Sequence, residues 1–310
     1  MKKQVFILSL TAFLLFSFST KFLQREIYDN KLVQTKTLQL KVLGQNNPNV
    51  KEPYAILKMS RKSDRVKVKY FSAKLYDGTA VGTRYLNWSA NKNVVAISSG
   101  TYMDNCLASI AKPMGLCIDD GNVVNNKVED SYGGLIVVYA TGGMVASAVE
   151  KADLTIKDKT RGSVTINIKN SFQKEQFINW AKEERATVFQ THLFVYKDEI
   201  RVFQNPNEKI TNAPRRFLAV CKEEDGSVSH YIINLPYAST LYQGVVKAKD
   251  YLKNIEDVAQ IVFMINLDTG CQNFYNVFNS DGSKKSERNF NGDPDLTLNE
   301  TANLLAYYYE

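Results

Sequence analysis

The sequence predicts an α+β fold: a mainly β domain with mixed sheets and a few packing helices. Three observations predict it. Short apolar runs rich in β-branched and aromatic residues, such as 94–97 (VVAI) and 261–265 (IVFMI), recur along the chain and are too brief for helices of their own. Turn residues punctuate them at Asp77 and Gly78, at Asp119 to Gly121, and at Asp225 and Gly226. Only a few stretches combine helical spacing with a capping residue.

Composition bounds the class. The chain has 310 residues, 44% of them hydrophobic and 23% charged, which is enough to bury a large core and excludes both disorder and a polytopic membrane protein. Residues 1–19 depart from that average, because Lys2 and Lys3 precede an apolar run from Val5 to Phe18, with Ser17 and Ser19 near its end. The run is short for a bilayer span of about 20 residues, so it reads as a cleaved signal peptide; an uncleaved anchor helix is the alternative. Removing it takes Lys2 and Lys3, and the formal charge falls from +7 to +5. A mildly basic exported chain without Arg-rich tracts suggests an anionic surface or anionic substrate at most, with no nucleic acid and no stable membrane span after cleavage. The expected location is periplasmic or secreted.

Taken in order, residues 20–50 read as a leader, broken at 45–49 (QNNPN), and 51–285 as the domain. Strands are expected at 54–59, 66–73 and 94–97, then at a hairpin around Asp119 to Gly121, and at 133–139. Asn170, with Gln173 three residues on, caps a helix over 170–184 whose Phe172, Phe177, Trp180 and Ala181 fall near one face. Strands resume at 188–196, 200–204, 217–222 and 231–235. Thr240 caps a helix over 241–253 that feeds the strand at 261–265. Thr297 and Glu300 form a capping box for a last helix through Tyr309, so 286–310 reads as a C-terminal loop and helix.

Four cysteines, Cys106, Cys117, Cys221 and Cys271, allow two disulfides in an oxidising compartment, with three possible connectivities. Cys117 and Cys221 sit in apolar segments, where free buried thiols are the alternative. With only His192 and His230 in the chain, neither a zinc site nor any other metal or cofactor is expected.

Polarity arrives abruptly after the 261–265 run. Asn266, Asp268, Thr269 and Gly270 place an amide, a carboxylate and a hydroxyl where core gives way to cleft. A second such ending, Ser98 to Tyr102, follows the 94–97 run. His192 lies two residues beyond Gln190, on the same strand face, and is a candidate acid or base near neutral pH. An Arg fork at a strand mouth suits phosphate oxygens.

Five segments in order, 94–102 (VVAISSGTY), 113–124 (PMGLCIDDGNVV), 189–201 (FQTHLFVYKDEIR), 215–226 (RRFLAVCKEEDG) and the helix leading into 261–270 (IVFMINLDTG), resemble the phosphodiester glycosidase family. In that family the first strand ends in Asn-Gly-Gly or Asn-Ala-Gly with an aromatic, and the last segment reads Asn-Leu-Asp-Gly-Gly. Ser98 stands here in place of the Asn, and Thr269 in place of the first Gly. The resemblance implies Asp268 as catalytic carboxylate and Arg216 as phosphate clamp, with Arg215 the alternative if the register shifts by one. It implies substrate contacts from Ser98, Ser99, Gly100, Gln190, Thr269 and Gly270, with His192 nearby. Glycoside hydrolysis commonly uses two carboxyl groups, and Asp104, Asp119 and Asp198 are turn-like candidates for the second. The implied function is an exported hydrolase that cleaves a sugar-1-phosphodiester in an envelope or extracellular glycan, with an anionic glycan or phosphosugar as its substrate. The alternative is a catalytically inactive glycan-binding or envelope polysaccharide assembly protein on the same fold.

Overall fold

The computed structural model describes residues 31–34, 38–43, 54–60, 66–73, 75–105, 107–108, 110–158, 162–205, 207, 215–235, 240–254, 256–270, 273–278, 286–289, 298 and 300–309. The signal peptide expected at 1–19, and with it any reading of export, lies outside the described residues, as do Cys106 and Cys271. Cys117 and Cys221 are buried free thiols.

Three sheets carry the fold. An eight-stranded sheet runs, in spatial order, Lys31–Gln34, Leu38–Leu43, Tyr54–Ser60, Val228–Leu235, Arg215–Lys222, Gln260–Leu267, Leu193–Tyr196 and Glu199–Ile200. A five-stranded sheet runs Met144–Ala148, Gly134–Val138, Thr187–Thr191, Cys117–Asp119 and Asn122–Asn125. A second five-stranded sheet runs Ser286–Asn289, Tyr275–Phe278, Asn93–Ser98, Leu304–Tyr309 and Val66–Phe71. The mainly β, α+β class stands. The described pairings within these sheets are antiparallel, so hairpins and returns take the place of the mixed sheets expected.

The main core lies between the sheets, and all three contribute to it: Leu218, Ile265 and Leu267 from the first, Ile136 and Phe189 from the second, Val95, Tyr275 and Tyr307 from the third. The other face of the eight-stranded sheet is covered by helix α3 (Leu241–Asn254), which lays Val245, Ala248 and Leu252 against Phe217, Ala219 and Met264. Gln260–Leu267 therefore has apolar packing on both faces, which is why its sequence is a continuous apolar run rather than an alternation. Thr240 caps α3 by accepting from the Gln243 N–H, and the Gln243 side chain accepts from the Thr240 N–H in return, each at 3.2 Å. Helix α2 (Ser171–Glu183) is capped by Asn170, whose side chain accepts from the Gln173 N–H at 3.0 Å. It buries Phe177, Ile178, Trp180 and Ala181 against the second sheet, while Phe172, expected on that face, is exposed in the helix's first turn.

Four differences from the sequence reading shape the site. Leu304–Tyr309 is a strand, not the end of a helix: it pairs with both Val66–Phe71 and Asn93–Ser98 in the middle of its sheet. Residues 31–34 and 38–43, read as leader, are strands that extend the eight-stranded sheet. A further helix, α1 (Val81–Ser89), forms without a side-chain cap and packs Val81 and Tyr85 against Phe71. The strand expected over 188–196 divides at His192: Thr187–Thr191 pairs in the second sheet and Leu193–Tyr196 in the first. That crossing from sheet to sheet draws their ends together.

Candidate functional site

The ends of several strands are laced together by backbone bonds. Asp268 N–H donates to Gly100 O at 2.6 Å, Ser99 N–H to Phe274 O at 2.8 Å, and Asn266 N–H to His192 O at 3.1 Å. Around this junction lie buried polar side chains from distant parts of the chain: Ser98, Ser99, Thr101, Gln190, Arg216, Asn234, Asn266, Asp268, Asn273 and Asn303. In an otherwise apolar interior such groups must satisfy one another.

Arg216 is at the centre of this cluster and is 0% exposed. Its Nε donates to Asn234 Oδ1 at 3.1 Å and Nη2 to Asn273 Oδ1 at 2.6 Å. Nη1 reaches Phe274 O at 3.1 Å, Ser98 Oγ at 3.3 Å and Ser99 Oγ at 3.5 Å. The guanidinium also lies 4.7 Å from the Tyr275 ring centroid. Every one of these acceptors is neutral. Burial lowers the Arg216 pKa to about 10, against the favourable fields of Tyr275 and Asp268, so it stays charged at neutral pH. Its fork is turned inward and occupied by the protein.

Gln190 is likewise 0% exposed, and its amide is used in full. Oε1 accepts from Leu116 N–H at 2.7 Å and Glu129 N–H at 3.0 Å, while Nε2 donates to Glu129 O at 3.2 Å and Tyr132 O at 3.3 Å. It braces the loop ahead of Gly134–Val138 against the 113–116 turn. Gly115 makes that approach possible: φ is +82°, and an added Cβ would stand 2.8 Å from Gln190 Oε1. Gln190→Ala is expected to lose about 2–3 kcal/mol of stability, because two buried N–H groups lose their acceptor; urea unfolding measures it.

Ser98, Ser99 and Gly100 are also interior. Ser98 donates to Ser99 O at 2.9 Å, and Ser99 donates to Asp268 O at 2.9 Å while accepting from Phe274 N–H at 3.1 Å. Gly100 N–H donates to Asn303 Oδ1 at 2.7 Å, and a Cβ there would stand 2.4 Å from the Tyr70 ring. These three positions hold strand ends in place.

A second set lies beside this frame, around Tyr102. Asp268 is 6% exposed. Its Oδ1 accepts from Gly270 N–H at 2.8 Å, an Asx-type turn that fixes the carboxylate. Burial raises its pKa, more than the Gly270 N–H and Arg216 together lower it. Tyr102 stands half-buried nearby and accepts from Asn266 Nδ2 at 2.8 Å. Burial and the Asp268 charge push its hydroxyl up to about 12, while Arg215 and the Asn266 bond act the other way. Tyr102 thus feels a carboxylate and a guanidinium at once. Arg215 is half-buried, unlike its neighbour, because adjacent residues on a strand point to opposite faces. Asn266 lies on the Arg215 face of the sheet, since it pairs with Phe217. Tyr132 and His192 continue the wall: the imidazole centroid is 4.6 Å from Tyr132 and 5.6 Å from Tyr102. Burial lowers the His192 pKa, against a bond that the ring donates to the Ser131 backbone, so the ring is neutral at neutral pH. Thr269 is half-buried and Gly270 exposed at the lip.

The chain matches no protein-family model and no curated protein sequence. Among solved structures it is similar to the catalytic domain of zebrafish N-acetylglucosamine-1-phosphodiester alpha-N-acetylglucosaminidase, auto-inhibited by its pro-peptide. The identity is 14%, the match covers 91% of this chain and 87% of that one, and the TM-score is 0.47. It is also similar to a hypothetical protein from Synechocystis at 9% identity, over 89% of this chain and 63% of that one, with a TM-score of 0.48. Both are distant likenesses of chain path.

The structure brings Asp268 and Arg215 to Tyr102, with His192 against the same ring and Thr269 and Gly270 following Asp268, and it buries Arg216, Gln190, Ser98, Ser99 and Gly100 in the interior. None of the three second-carboxylate candidates joins Asp268. Asp119 is buried against Ser72 and Arg84 Nη1, at 3.0 and 2.9 Å. Asp104 closes its own loop through Asn105 and Lys112 N–H, and Asp198 accepts from Ile261 N–H. Asn273 and Asn303, both parts of the buried frame, are missing from the sequence reading. No single-residue signal could have found them. Among the described residues no cluster of three or more His, Cys, Asp or Glu side chains could hold a metal, and no helix is long and apolar enough to cross a membrane.

Proposed function

We propose that this protein is an exported hydrolase that cleaves a sugar-1-phosphodiester, with Asp268 as its catalytic carboxylate and Arg215 as its phosphate clamp. The observation that carries the reading is the convergence at Tyr102, whose hydroxyl is acted on by Asp268 and Arg215 and bonded by Asn266. A desolvated carboxylate, a half-buried arginine and a phenol brought together suit an anionic sugar ester. The five-segment resemblance supplies the substrate class. Arg215 takes the role first assigned to Arg216, because a fork already bonded to Asn234, Asn273 and Phe274 has none of its geometry left for phosphate.

One carboxylate suffices for this reaction. The phosphomonoester leaves as a stable anion, so protonation of the leaving oxygen is dispensable, and Asp268 in its ionised form supports the positive anomeric carbon or takes a proton from the attacking water. The anomeric C–O bond breaks, water oxygen bonds the carbon, and the products are the free sugar and a phosphomonoester. The half-buried Tyr102 ring offers a face for the sugar.

A panel of chromogenic sugar-1-phosphodiesters tests the reading. Turnover is expected for at least one sugar, with kcat/KM falling on the acid side as Asp268 takes up its proton. Because burial raises that pKa, the midpoint should lie above the ordinary carboxylate value of 3.8. Absence of turnover across the panel, together with glycan binding, would favour the catalytically inactive glycan-binding protein. The lack of a second carboxylate among the three candidates is the observation on that side.

A further inference from the structure

One hydroxyl beside Asp268 carries a proton that the protein itself does not take up. Tyr102 Oη accepts from Asn266 Nδ2 at 2.8 Å, and among the described residues that is its single hydrogen bond, so the O–H has no acceptor there. Other tyrosines next to carboxylates give theirs away: Tyr196 donates to Asp153 at 2.7 Å, Tyr251 to Glu256 at 2.8 Å and Tyr231 to Glu223 at 2.9 Å. Tyr102 feels the Asp268 charge without donating to it. A half-buried phenol with an unused donor calls for a partner from outside the chain.

Its placement is fixed. Asp268 N–H donates to Gly100 O, and Asn266 Nδ2 to Tyr102 Oη, so segments 100–102 and 266–268 lie side by side in opposite directions. The hydroxyl is thereby set two residues along from the Asp268 carboxylate. The ring stands edge-on to His192 at 5.6 Å and tilted against Tyr132 at 6.0 Å, and Met114 N–H donates to the Tyr102 carbonyl at 3.0 Å. Burial is the largest influence on the hydroxyl, and it keeps the proton in place at neutral pH.

We propose that Tyr102 is the hydrogen-bond donor to the leaving oxygen of the sugar phosphodiester, in the place that a second carboxyl group takes in other glycoside hydrolases. The inference rests on the hydrolase reading above. In that reading the anomeric carbon lies at Asp268 and the phosphate at Arg215, and the atom that joins them is the bridging oxygen. Tyr102 is the neutral donor that both residues act on. As the anomeric C–O bond breaks, its electron pair settles on that oxygen, which departs in the phosphomonoester anion. Water oxygen bonds the carbon, and the water proton goes to Asp268. The phenol proton stays on Tyr102: its hydrogen bond strengthens as charge builds, and so favours the transition state over the bound substrate.

The test compares wild type and Tyr102→Phe on two diesters of the same sugar-1-phosphate, one ethyl and one p-nitrophenyl. Phenylalanine keeps the ring against Tyr132 and His192, and a thermal melt checks that the variant is folded. For the ethyl ester, kcat is expected to fall on the order of 10²-fold while KM stays within about threefold, because the lost bond is made in the transition state. The loss should be several-fold smaller for the nitrophenyl ester, whose phosphomonoester is the stronger acid and needs the hydrogen bond less. An unchanged kcat with turnover of both esters would overturn the inference and leave the hydrolase standing. So would a rise in KM alone, which would make Tyr102 a binding contact, or an equal loss of kcat on the two esters, which would make it a structural support. No turnover of either ester by the wild type would remove the hydrolase reading, and this inference with it.

Discussion

Replacing Arg216 by alanine is expected to destabilise the protein by about 3–5 kcal/mol, the cost typical of removing one member of a buried, hydrogen-bonded polar network. Five hydrogen bonds end on this guanidinium. Without it, Asn234 Oδ1 and Asn273 Oδ1 lose their guanidinium donors in an interior that water does not reach, and each adds its own desolvation penalty, while Phe274 O keeps the Ser99 N–H. Arg216→Lys should recover little, because one ammonium cannot span acceptors arranged around a planar fork. Urea unfolding at constant m-value is the measurement. Arg215→Ala is the contrast: it is expected to change stability by less than about 1 kcal/mol while weakening binding of the anionic substrate. If Arg216→Ala unfolds at the wild-type midpoint and loses substrate binding instead, the two arginines have exchanged roles and the clamp lies one residue further on.

The same pair shows how far the sequence could go. Alternation along a strand guarantees that Arg215 and Arg216 face opposite ways, yet it cannot say which way is inward, because that depends on which sheet face meets the other sheets. Asp268, Asn266 and the 94–102 segment were legible because the end of an apolar run is a local event. Helices α2 and α3 were legible for the same reason, through Asn170 and Thr240. The C-terminal strand was not. Thr297 and Glu300 have capping-box spacing, but what decides Leu304–Tyr309 is pairing with strands more than 200 residues earlier, and its run of Tyr307, Tyr308 and Tyr309 suits a pleated surface. Missing that strand hid Asn303, whose amide accepts from Gly100 N–H and donates to Thr101 O at 2.8 Å. Helix α1 gave no signal, since Ala80 supplies no cap and Gly82 and Thr83 are poor helix formers. For Gln190, the sequence marked the right residue and the wrong partner: a buried amide can serve a ligand or the backbone, and only the position of Leu116 and Glu129 decides it.

Asp268→Asn separates activity from stability most sharply. Turnover is expected to fall on the order of 10²–10⁴-fold, since the amide neither accepts a proton nor carries the charge that supports the anomeric carbon. Stability should move the other way. The folded-state pKa of Asp268 is raised by burial, so the native state binds its proton more tightly than the unfolded chain does. Its stabilising contribution is complete below the ordinary value of 3.8 and is lost as pH rises through the folded pKa; above that, the buried charge weighs against folding. Asparagine keeps an oxygen for the Gly270 N–H and carries no charge, so the variant should melt at a higher Tm than wild type at pH 8 and at nearly the same Tm below pH 4. A site that gains stability when its chemistry is removed is one where a charged group is held for use. A lower Tm at every pH would instead make Asp268 a turn-capping residue, because the only interaction disturbed would be the bond to Gly270, and the centre of the site would have to be sought at Arg215 and Tyr102.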